Sequence, residues 1–325
     1  MFALSPSCTL CPRCCGVDRR GGPYGVCGQG EIIRAAWAGL HLGEEPDLVG
    51  EKGSGTIFFS GCSLRCASCQ NLQISRQGLG AEMSPAQLAA LMLRLQEAGA
   101  ENVNLVTGGH FLPAILNAVN EARRLGLTLP LVWNSSAYET PQAVRALSAE
   151  VDFFVPDCKT LDMTVSAALM KAPDYPEVAR RAIEAMAAVK PLRREGPGER
   201  LIQGVLVRHL VLPGLLEATR GVLAWFRESL AGRALISVMF QYTPPAQHRE
   251  IPGLPSLQRG LNPGEVERVR TWLEELGIEE GFIQEAAADA AWLPDFRRPN
   301  PFPPGQARPV WHYSEPLPRI GGSVG

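Results

Sequence analysis

The sequence predicts an α/β fold, a partial (β/α)6 barrel, from two observations. From about residue 56 to residue 284, short β-rich runs alternate with helical periods, as in parallel strands joined by right-handed crossovers. Six or seven such units favour a barrel or partial barrel over a doubly wound open sheet, which remains the alternative. The 325 residues are 46% hydrophobic, enough for a sizeable core in one large domain or two modest ones.

The strand–helix units follow one another in regular order. The first strand is Thr56–Ser60, and the first helix begins at Ser84, an N-cap residue followed by Pro85 at the first helical position. Gly99 ends that helix. Further strands are predicted near 103–106, 129–133, 151–155, 204–212, 235–241 and 282–284, and further helices near 113–126, 141–148, 176–189, 217–230 and 265–276. Residues 193–200 are predicted to be an exposed loop because they are rich in Gly, Pro and charge.

Composition divides the chain into three predicted regions. Residues 1–50 are a Cys-rich metal-binding segment, residues 51–285 are the partial barrel, and residues 286–325 are a Pro-rich C-terminal extension. Eight prolines between 294 and 318 predict extended, loosely packed chain in that extension.

Charge and hydropathy exclude several function classes. The net charge of −2 argues against a protein that binds nucleic acid through phosphate contacts. No apolar run approaches the roughly 18 residues of a membrane helix. The start, MFALSPSCTLCPRCC, lacks the basic and apolar regions of a signal peptide, so a cytoplasmic location is expected.

Eight of the nine cysteines lie in the first 69 residues, which favours metal binding over disulfides. Cys62, Cys66 and Cys69 form a Cys-x3-Cys-x2-Cys motif directly after the first strand. A cubane iron–sulfur cluster has four irons, so three thiolates leave one iron open, as in a catalytic metal site. The alternatives are a structural zinc knuckle or three buried thiols.

Polar residues follow each predicted strand. In a TIM-like barrel, active sites lie where the strands end and the loops begin. The residues at these positions include Gly108, Gly109 and His110, then Asn134 and Ser135, then Asp157 and Lys159, then Arg208 and His209. Such a ring of polar groups is what the mouth of a cofactor site needs.

These motifs resemble the radical S-adenosylmethionine (radical SAM) superfamily. The strings CTLCPRCCGVDR, GSGTIFFSGCSLRC, NLVTGGHF, VPDCK, RHLVLPG and QYTP resemble the subgroup related to the pyruvate formate-lyase activating enzyme. The resemblance implies a [4Fe-4S] cluster on the three cysteines and SAM on its free iron. The reaction would be reductive cleavage of SAM to a 5′-deoxyadenosyl radical, which abstracts a hydrogen atom. Activating enzymes take that atom from a glycine of a glycyl radical enzyme, and a flavodoxin or ferredoxin is implied as electron donor.

The resemblance also implies roles for the strand-end residues. Gly108 and Gly109 would meet the SAM amino group, and Asn134 and Ser135 would lie near the ribose. Further residues assigned to the SAM site are Asp157, Lys159 and His209. The chain departs from the usual motifs at His110, where a Glu is common, and at Ser68, where an aromatic residue is common. Cys158 is interpreted as a core residue.

The N-terminal cysteines form a second candidate site. Cys8, Cys11, Cys15 and Cys27 fit the family string, with Cys14 spare, and would hold either a second iron–sulfur cluster or zinc. Two alternatives to the activating-enzyme function stay open. One is a radical SAM enzyme acting on a small molecule, and the other is a non-catalytic electron-transfer or binding module.

Overall fold

A computed structural model describes residues 7–21, 24–196, 200–244, 251–285 and 293–320. The strands within these ranges are β1 (Ile33–His41), β2 (Ser54–Phe59), β3 (Ala81–Met83), β4 (Val103–Val106), β5 (Leu131–Ser135), β6 (Phe153–Pro156), β7 (Arg193–Glu195), β8 (Arg200–Leu210), β9 (Leu235–Met239), β10 (Gly281–Gln284) and β11 (Ala307–His312). The α-helices are α1 (Pro46–Val49), α2 (Leu72–Ser75), α3 (Pro85–Glu97), α4 (Leu112–Arg124), α5 (Pro141–Ser148), α6 (Met163–Met170), α7 (Tyr175–Val189), α8 (Leu216–Ser229) and α9 (Pro263–Glu275).

Strands β2, β4, β5, β6, β8, β9 and β10 pair in parallel in that order, with helical crossovers between successive strands. The sheet does not close on itself, because β10 and β11 form its two edges. The predicted partial barrel is therefore confirmed. Within the described residues, no helix has the length and apolar character needed to cross a membrane.

The helices begin where local chemistry favours them. Ser84 accepts a hydrogen bond from the backbone N–H of Gln87, and the Gln87 side chain accepts one from the backbone N–H of Ser84. This capping box satisfies two donors that a bare helix start leaves unpaired. The predicted N-cap at Ser84 is confirmed.

The antiparallel edge of the sheet combines both ends of the chain. Strand β1 lies in the region assigned to the Cys-rich segment, but it pairs with β2 and also with β11. For residues 293–320, the described part of the C-terminal extension, the expectation of loose packing is wrong, because Phe296 and Trp311 are completely buried. Apolar rings stabilise a segment by roughly 2 kcal/mol or more each when buried, whatever its proline content. The predicted exposed loop at 193–200 contains β7, which is exposed but pairs with β8; residues 197–199 lie outside the described ranges.

Both faces of the parallel strands are buried, because helices cover the outward face and the barrel interior encloses the inward face. The outward face packs on the helices through residues such as Phe59, Leu105, Trp133 and Phe154. The inward face lines the barrel interior, where Val132, Val155 and Leu206 pack in a separate apolar cluster. The side chain at each strand end therefore meets either the helices or the interior, according to its place in the alternation.

Candidate active site

A cavity of about 310 Å³ lies at the carboxyl ends of the parallel strands. The strand register aligns Phe58, Val106 and Asn134 side by side, and all three line the cavity. Asp157 forms an isolated bridge with Arg208, and both line it as well. The volume is near the lower end of the range for a site that holds one small organic ligand.

The three cysteines of the Cys-x3-Cys-x2-Cys motif all line this cavity. Cys62 is buried, whereas Cys66 and Cys69 are half-buried. Burial raises the pKa of the Cys66 thiol to about 12, and the nearby Lys159 charge opposes that rise while Cys62 and Cys69 add to it. The Sγ of Cys69 lies 3.2 Å from the Oγ of Ser75. The three thiols thus line one cavity. Lys159 is the cation whose charge most strongly opposes the rise in the pKa of Cys66.

Lys159 and Asp157 form an ion pair inside the cavity, with Nζ 2.8 Å from Oδ2. Burial lowers the pKa of Lys159, but the charges of Asp157 and Cys66 outweigh it and hold that pKa well above its ordinary value. The buried Tyr175 hydroxyl donates to the Asp157 carbonyl at 2.7 Å and accepts from the Lys159 backbone N–H at 3.0 Å. Lys159 therefore carries a positive charge at a fixed position beside the thiols.

The other predicted cofactor residues divide between the cavity and its surroundings. Asn134 lines the cavity, together with Thr107 and Ser136, which were not assigned a role from the sequence. Ser135 lies on the opposite face, where its hydroxyl accepts from the backbone N–H of Ala137 at 3.2 Å. Because neighbouring strand residues point to opposite faces, Asn134 and Ser135 do not line the same space.

Gly108 and Gly109 lie outside the residues that line the main cavity. A Cβ at Gly108 would come within 2.5 Å of Ile115 Cδ1, so close packing against α4 requires glycine there. Thr107 precedes them with a φ of 59°, a conformation uncommon for a residue other than glycine. The strand end turns sharply at Thr107, and that turn presents Thr107 to the cavity.

A buried charge cluster lies on the inner side of the cavity. The Arg208 guanidinium contacts the carboxylates of Glu44 and Glu45, with Nε 2.9 Å from Glu45 Oε1. Burial opposes the charge on Arg208, but Glu45 and Glu44 outweigh it and raise its pKa well above the ordinary value. Gln284 of β10 donates to Glu45 Oε1 at 3.3 Å. Glu45 thereby joins the loop after β1 to β8 and β10, across the opening of the barrel.

His209 lies on the outward face of β8, and His110 lies in the short helical turn that follows β4. His209 Nδ1 is 2.8 Å from the Cys158 carbonyl and Nε2 is 3.0 Å from the Thr219 hydroxyl, so both ring nitrogens have partners away from the cavity. His110 Nε2 is 2.8 Å from the Ser60 carbonyl. Burial lowers the pKa of each to about 4, so both are neutral at pH 7. Cys158 is buried in the main core, as interpreted from the sequence.

The N-terminal cysteines pack directly against the cysteine loop at the strand end. The backbone N–H of Cys62 donates to the Cys27 carbonyl at 3.4 Å. Arg13 anchors the segment with hydrogen bonds to the carbonyls of Ser63, Met170 and Lys171. Burial raises the pKa of Cys11 to about 12, and the charges of Cys27, Cys8 and Cys15 contribute to that rise. The four cysteines predicted as ligands therefore lie within electrostatic range of one another.

Neither cysteine group is arranged around a single ion. Among the residues that the structure describes, no three His, Cys, Asp or Glu side chains converge tightly enough to hold one metal ion. A cubane binds each thiolate to a different iron, so its ligands are farther apart than those of a mononuclear site.

The sequence profile of the radical SAM superfamily matches residues 56–219, half of the chain, and this range contains the three cysteines and the Asp157–Lys159 pair. The chain belongs to the radical SAM superfamily. Its cofactors are therefore a [4Fe-4S] cluster and SAM, and its general reaction is the reductive cleavage of SAM. An uncharacterized protein of Methanocaldococcus jannaschii is 29% identical over 249 residues, covering 74% of this chain and 67% of that protein.

Solved structures show weaker likeness. Streptococcus suis SuiB bound to precursor peptide SuiA aligns with a TM-score of 0.49 and 14% identity, over 70% of this chain and 47% of SuiB. The chain thus spans about half the length of SuiB. A domain of pyruvate-formate lyase-activating enzyme from Bacteroides vulgatus aligns with a TM-score of 0.36 and 10% identity, over 53% of this chain and 89% of that domain. Neither likeness bears on the substrate of this radical SAM protein.

The cavity fits the cofactors of a radical SAM protein. Three thiols of one short loop meet there, which is the donor set of a cubane with one open iron. Lys159 supplies a cation beside those thiols, and Asn134 and Ser136 add polar groups to the lining of the cavity.

Proposed function

We propose that Cys62, Cys66 and Cys69 hold the [4Fe-4S] cluster and that SAM lies across the cavity, against Lys159, Asp157 and Asn134. The observation that carries this proposal is that one cavity joins the three thiols to the Asp157–Lys159 ion pair. When bound, the reduced cluster and SAM supply a 5′-deoxyadenosyl radical, which takes a hydrogen atom from the substrate.

The residues of the cavity orient SAM and exclude water. The Lys159 ammonium faces the cysteine loop, so it attracts the anionic carboxylate of the methionine part of SAM to that side. The Asn134 amide and the Ser136 hydroxyl can donate to and accept from ribose hydroxyls. The apolar side chains of Phe58, Val106 and Met170 form walls that keep water from a reactive intermediate.

The test is anaerobic SAM cleavage. The reconstituted protein, reduced with dithionite, should convert SAM to 5′-deoxyadenosine and methionine. Cys66→Ala should abolish the product, whereas Cys158→Ala, which removes a buried core cysteine outside the cavity, should retain it. Cleavage at the full rate by Cys66→Ala would contradict the proposed site.

We propose the activating-enzyme substrate, a glycine of a partner protein, as the source of the hydrogen atom. The cavity of about 310 Å³ has to hold both the cluster and SAM, so the second reactant must present a small group. Glycine has no side chain, so its Cα can approach where larger residues cannot. The resemblance of the chain's motifs to the activating enzymes supports the same choice.

Deuterium transfer tests this substrate. Short synthetic peptides with a central α,α-dideuterated glycine should yield deuterated 5′-deoxyadenosine, and the same peptides with unlabelled glycine should not. If an added small molecule transfers deuterium and none of the peptides does, the glycine assignment is wrong while SAM cleavage stands.

We also propose that an acidic one-electron carrier, such as a flavodoxin or ferredoxin, docks beside the cluster. A recess of about 300 Å³ is lined by five arginines, Arg19, Arg20, Arg34, Arg65 and Arg76, and by Glu31 and Glu82. Arg34 pairs with Glu82 and Arg20 pairs with Asp18, so three carboxylates oppose the five guanidinium groups. Ser75 lines both this recess and the main cavity, and its hydroxyl contacts Cys69. The excess of positive charge would attract an acidic surface to the recess. Only the Ser75 side chain would then lie between that surface and the cluster site.

The donor proposal is tested by comparing two reductants. In the double variant Arg20→Glu, Arg34→Glu, the ratio of the flavodoxin-driven to the dithionite-driven rate of SAM cleavage should fall at least about tenfold at low salt. The exposed Arg268→Glu serves as the control for a charge reversal elsewhere. An unchanged ratio would show that the donor docks at another surface.

A further inference from the structure

The N-terminal segment repeats the construction of the cluster loop. Cys62, Cys66 and Cys69 have the spacing x3 then x2 within eight residues, and Cys8, Cys11 and Cys15 have the spacing x2 then x3, also within eight residues. Each loop therefore carries three thiols on a chain of the same length.

The two loops also share a feature of backbone conformation. The two gaps of three residues each end on a residue in the left-handed conformation, with φ of 40° at Cys14 and 49° at Arg65. Each of these residues directly precedes a cysteine, Cys15 in one loop and Cys66 in the other. Residues other than glycine adopt this conformation rarely, so both loops share an uncommon backbone conformation directly before a cysteine.

The segment differs from the cluster loop by two additional thiols, Cys14 and Cys27. The backbone N–H of Cys8 donates to the Val17 carbonyl at 3.0 Å and that of Gly16 donates to the Cys8 carbonyl at 3.1 Å, so the two ends of the first loop meet. Cys27 lies near enough for the charges of Cys8 and Cys15 to act on its thiol. Gly25 packs so closely on this group that an added Cβ would come within 2.4 Å of Cys15 Sγ. Cys14 is exposed, and its thiol donates to the Cys11 carbonyl at 3.5 Å. Four thiols therefore gather at one place, with the fifth turned away.

We propose that Cys8, Cys11, Cys15 and Cys27 hold a second [4Fe-4S] cluster, with every iron ligated by the protein. The mirrored spacing and the shared turn match the loop that holds the family cluster. Zinc sites are usually built from two close pairs of ligands, whereas Cys27 follows Cys15 after eleven residues with no partner of its own. Because four thiolates fill all four irons, this cluster has no open position for SAM.

Metal content of group variants tests the proposal. The anaerobically reconstituted protein should contain about eight irons per chain, and the triple variant Cys62→Ala, Cys66→Ala, Cys69→Ala should retain about four. After reduction, the electron paramagnetic resonance signal of that triple variant should be unchanged by SAM. One zinc and no iron in the triple variant, or no metal in a variant whose circular dichroism shows a folded chain, would overturn the proposal.

A complementary variant covers the case in which the triple variant does not fold. Replacing Cys8, Cys11, Cys15 and Cys27 with Ser should lower the iron content from about eight to about four and leave a signal that SAM still shifts. The matched control is Cys14→Ser, which should keep all the iron because Cys14 lies outside the ligand set. Iron equal to that of the unaltered protein in the quadruple variant would contradict the second cluster without affecting SAM cleavage.

Discussion

Arg208 and His209 are neighbours on β8, yet they lie in different environments. Arg208 points into the barrel and contacts Glu44 and Glu45 beside the cavity, whereas His209 points outward and bonds to Cys158 and Thr219. The same division separates Asp157, which is paired with Lys159, from Glu139, which lies outside the cavity and whose Oε1 accepts a hydrogen bond from the Trp133 indole N–H. A polar residue at a strand end therefore belongs to the active site only when its face of the strand lines the interior.

The largest effect on stability is expected at Arg208. Arg208→Met leaves the carboxylates of Glu44 and Glu45 buried without a cation, and breaking such a pair costs about 3–5 kcal/mol. Chemical denaturation of the protein should show this loss in the free energy of unfolding. Arg268→Met, at an exposed site, should change it by no more than about 0.5 kcal/mol. A similar small change for both variants would mean that the ion pairs of Arg208 with Glu44 and Glu45 contribute nothing to stability.

Lys159 is expected to affect chemistry more than stability. Lys159→Met removes the cation beside the cluster thiols and should lower the rate of SAM cleavage about 100-fold, equivalent to about 2.7 kcal/mol. Iron content should remain that of the unaltered protein, because the three cysteines are intact. The exposed Lys52→Met is the control. If both variants cleave SAM equally fast, Lys159 does not orient the cofactor.

The sequence predicted the parallel units because β-rich runs and helical periods of apolar residues are local signals, but it missed the antiparallel edge. Strand β1 is rich in alanine, and β11 lies among prolines, so neither has the usual composition of a strand. The cysteine motif and the Asp157–Lys159 pair could be recognised because each is contiguous in sequence. The Glu44–Arg208 contact joins residues 164 positions apart, and no local pattern indicates it. Predicting strand ends without their facing directions also assigned Ser135 and His209 to the same group as Asn134.

Glu139 should make stability depend on pH. Burial raises the pKa of Glu139 from 4.5 to about 7, although the hydrogen bonds from Trp133 and Ser135 oppose this rise. The unfolded chain therefore releases this proton more easily, and stability falls as pH rises from about 4.5 to about 7. Glu139→Gln keeps an oxygen for the Trp133 N–H and removes the titration. Relative to the unaltered protein, its free energy of unfolding should rise by about 3 kcal/mol across that interval and then stay constant. A difference that does not change with pH would contradict the raised pKa.

The smallest effect is expected at His209, and its pH dependence has the opposite sign. His209→Gln should lose one buried hydrogen bond, about 1–2 kcal/mol at pH 7, and leave the SAM dissociation constant unchanged because the ring faces the helices. Burial lowers the pKa of His209 to about 4, so the native protein loses stability as pH falls from 6.5 toward 4, and the variant does not. The difference in unfolding free energy between the two proteins should therefore shrink below pH 6.5. Weakened SAM binding in His209→Gln would show instead that the outward face of β8 communicates with the cavity, and the separation of the two faces would then be incomplete.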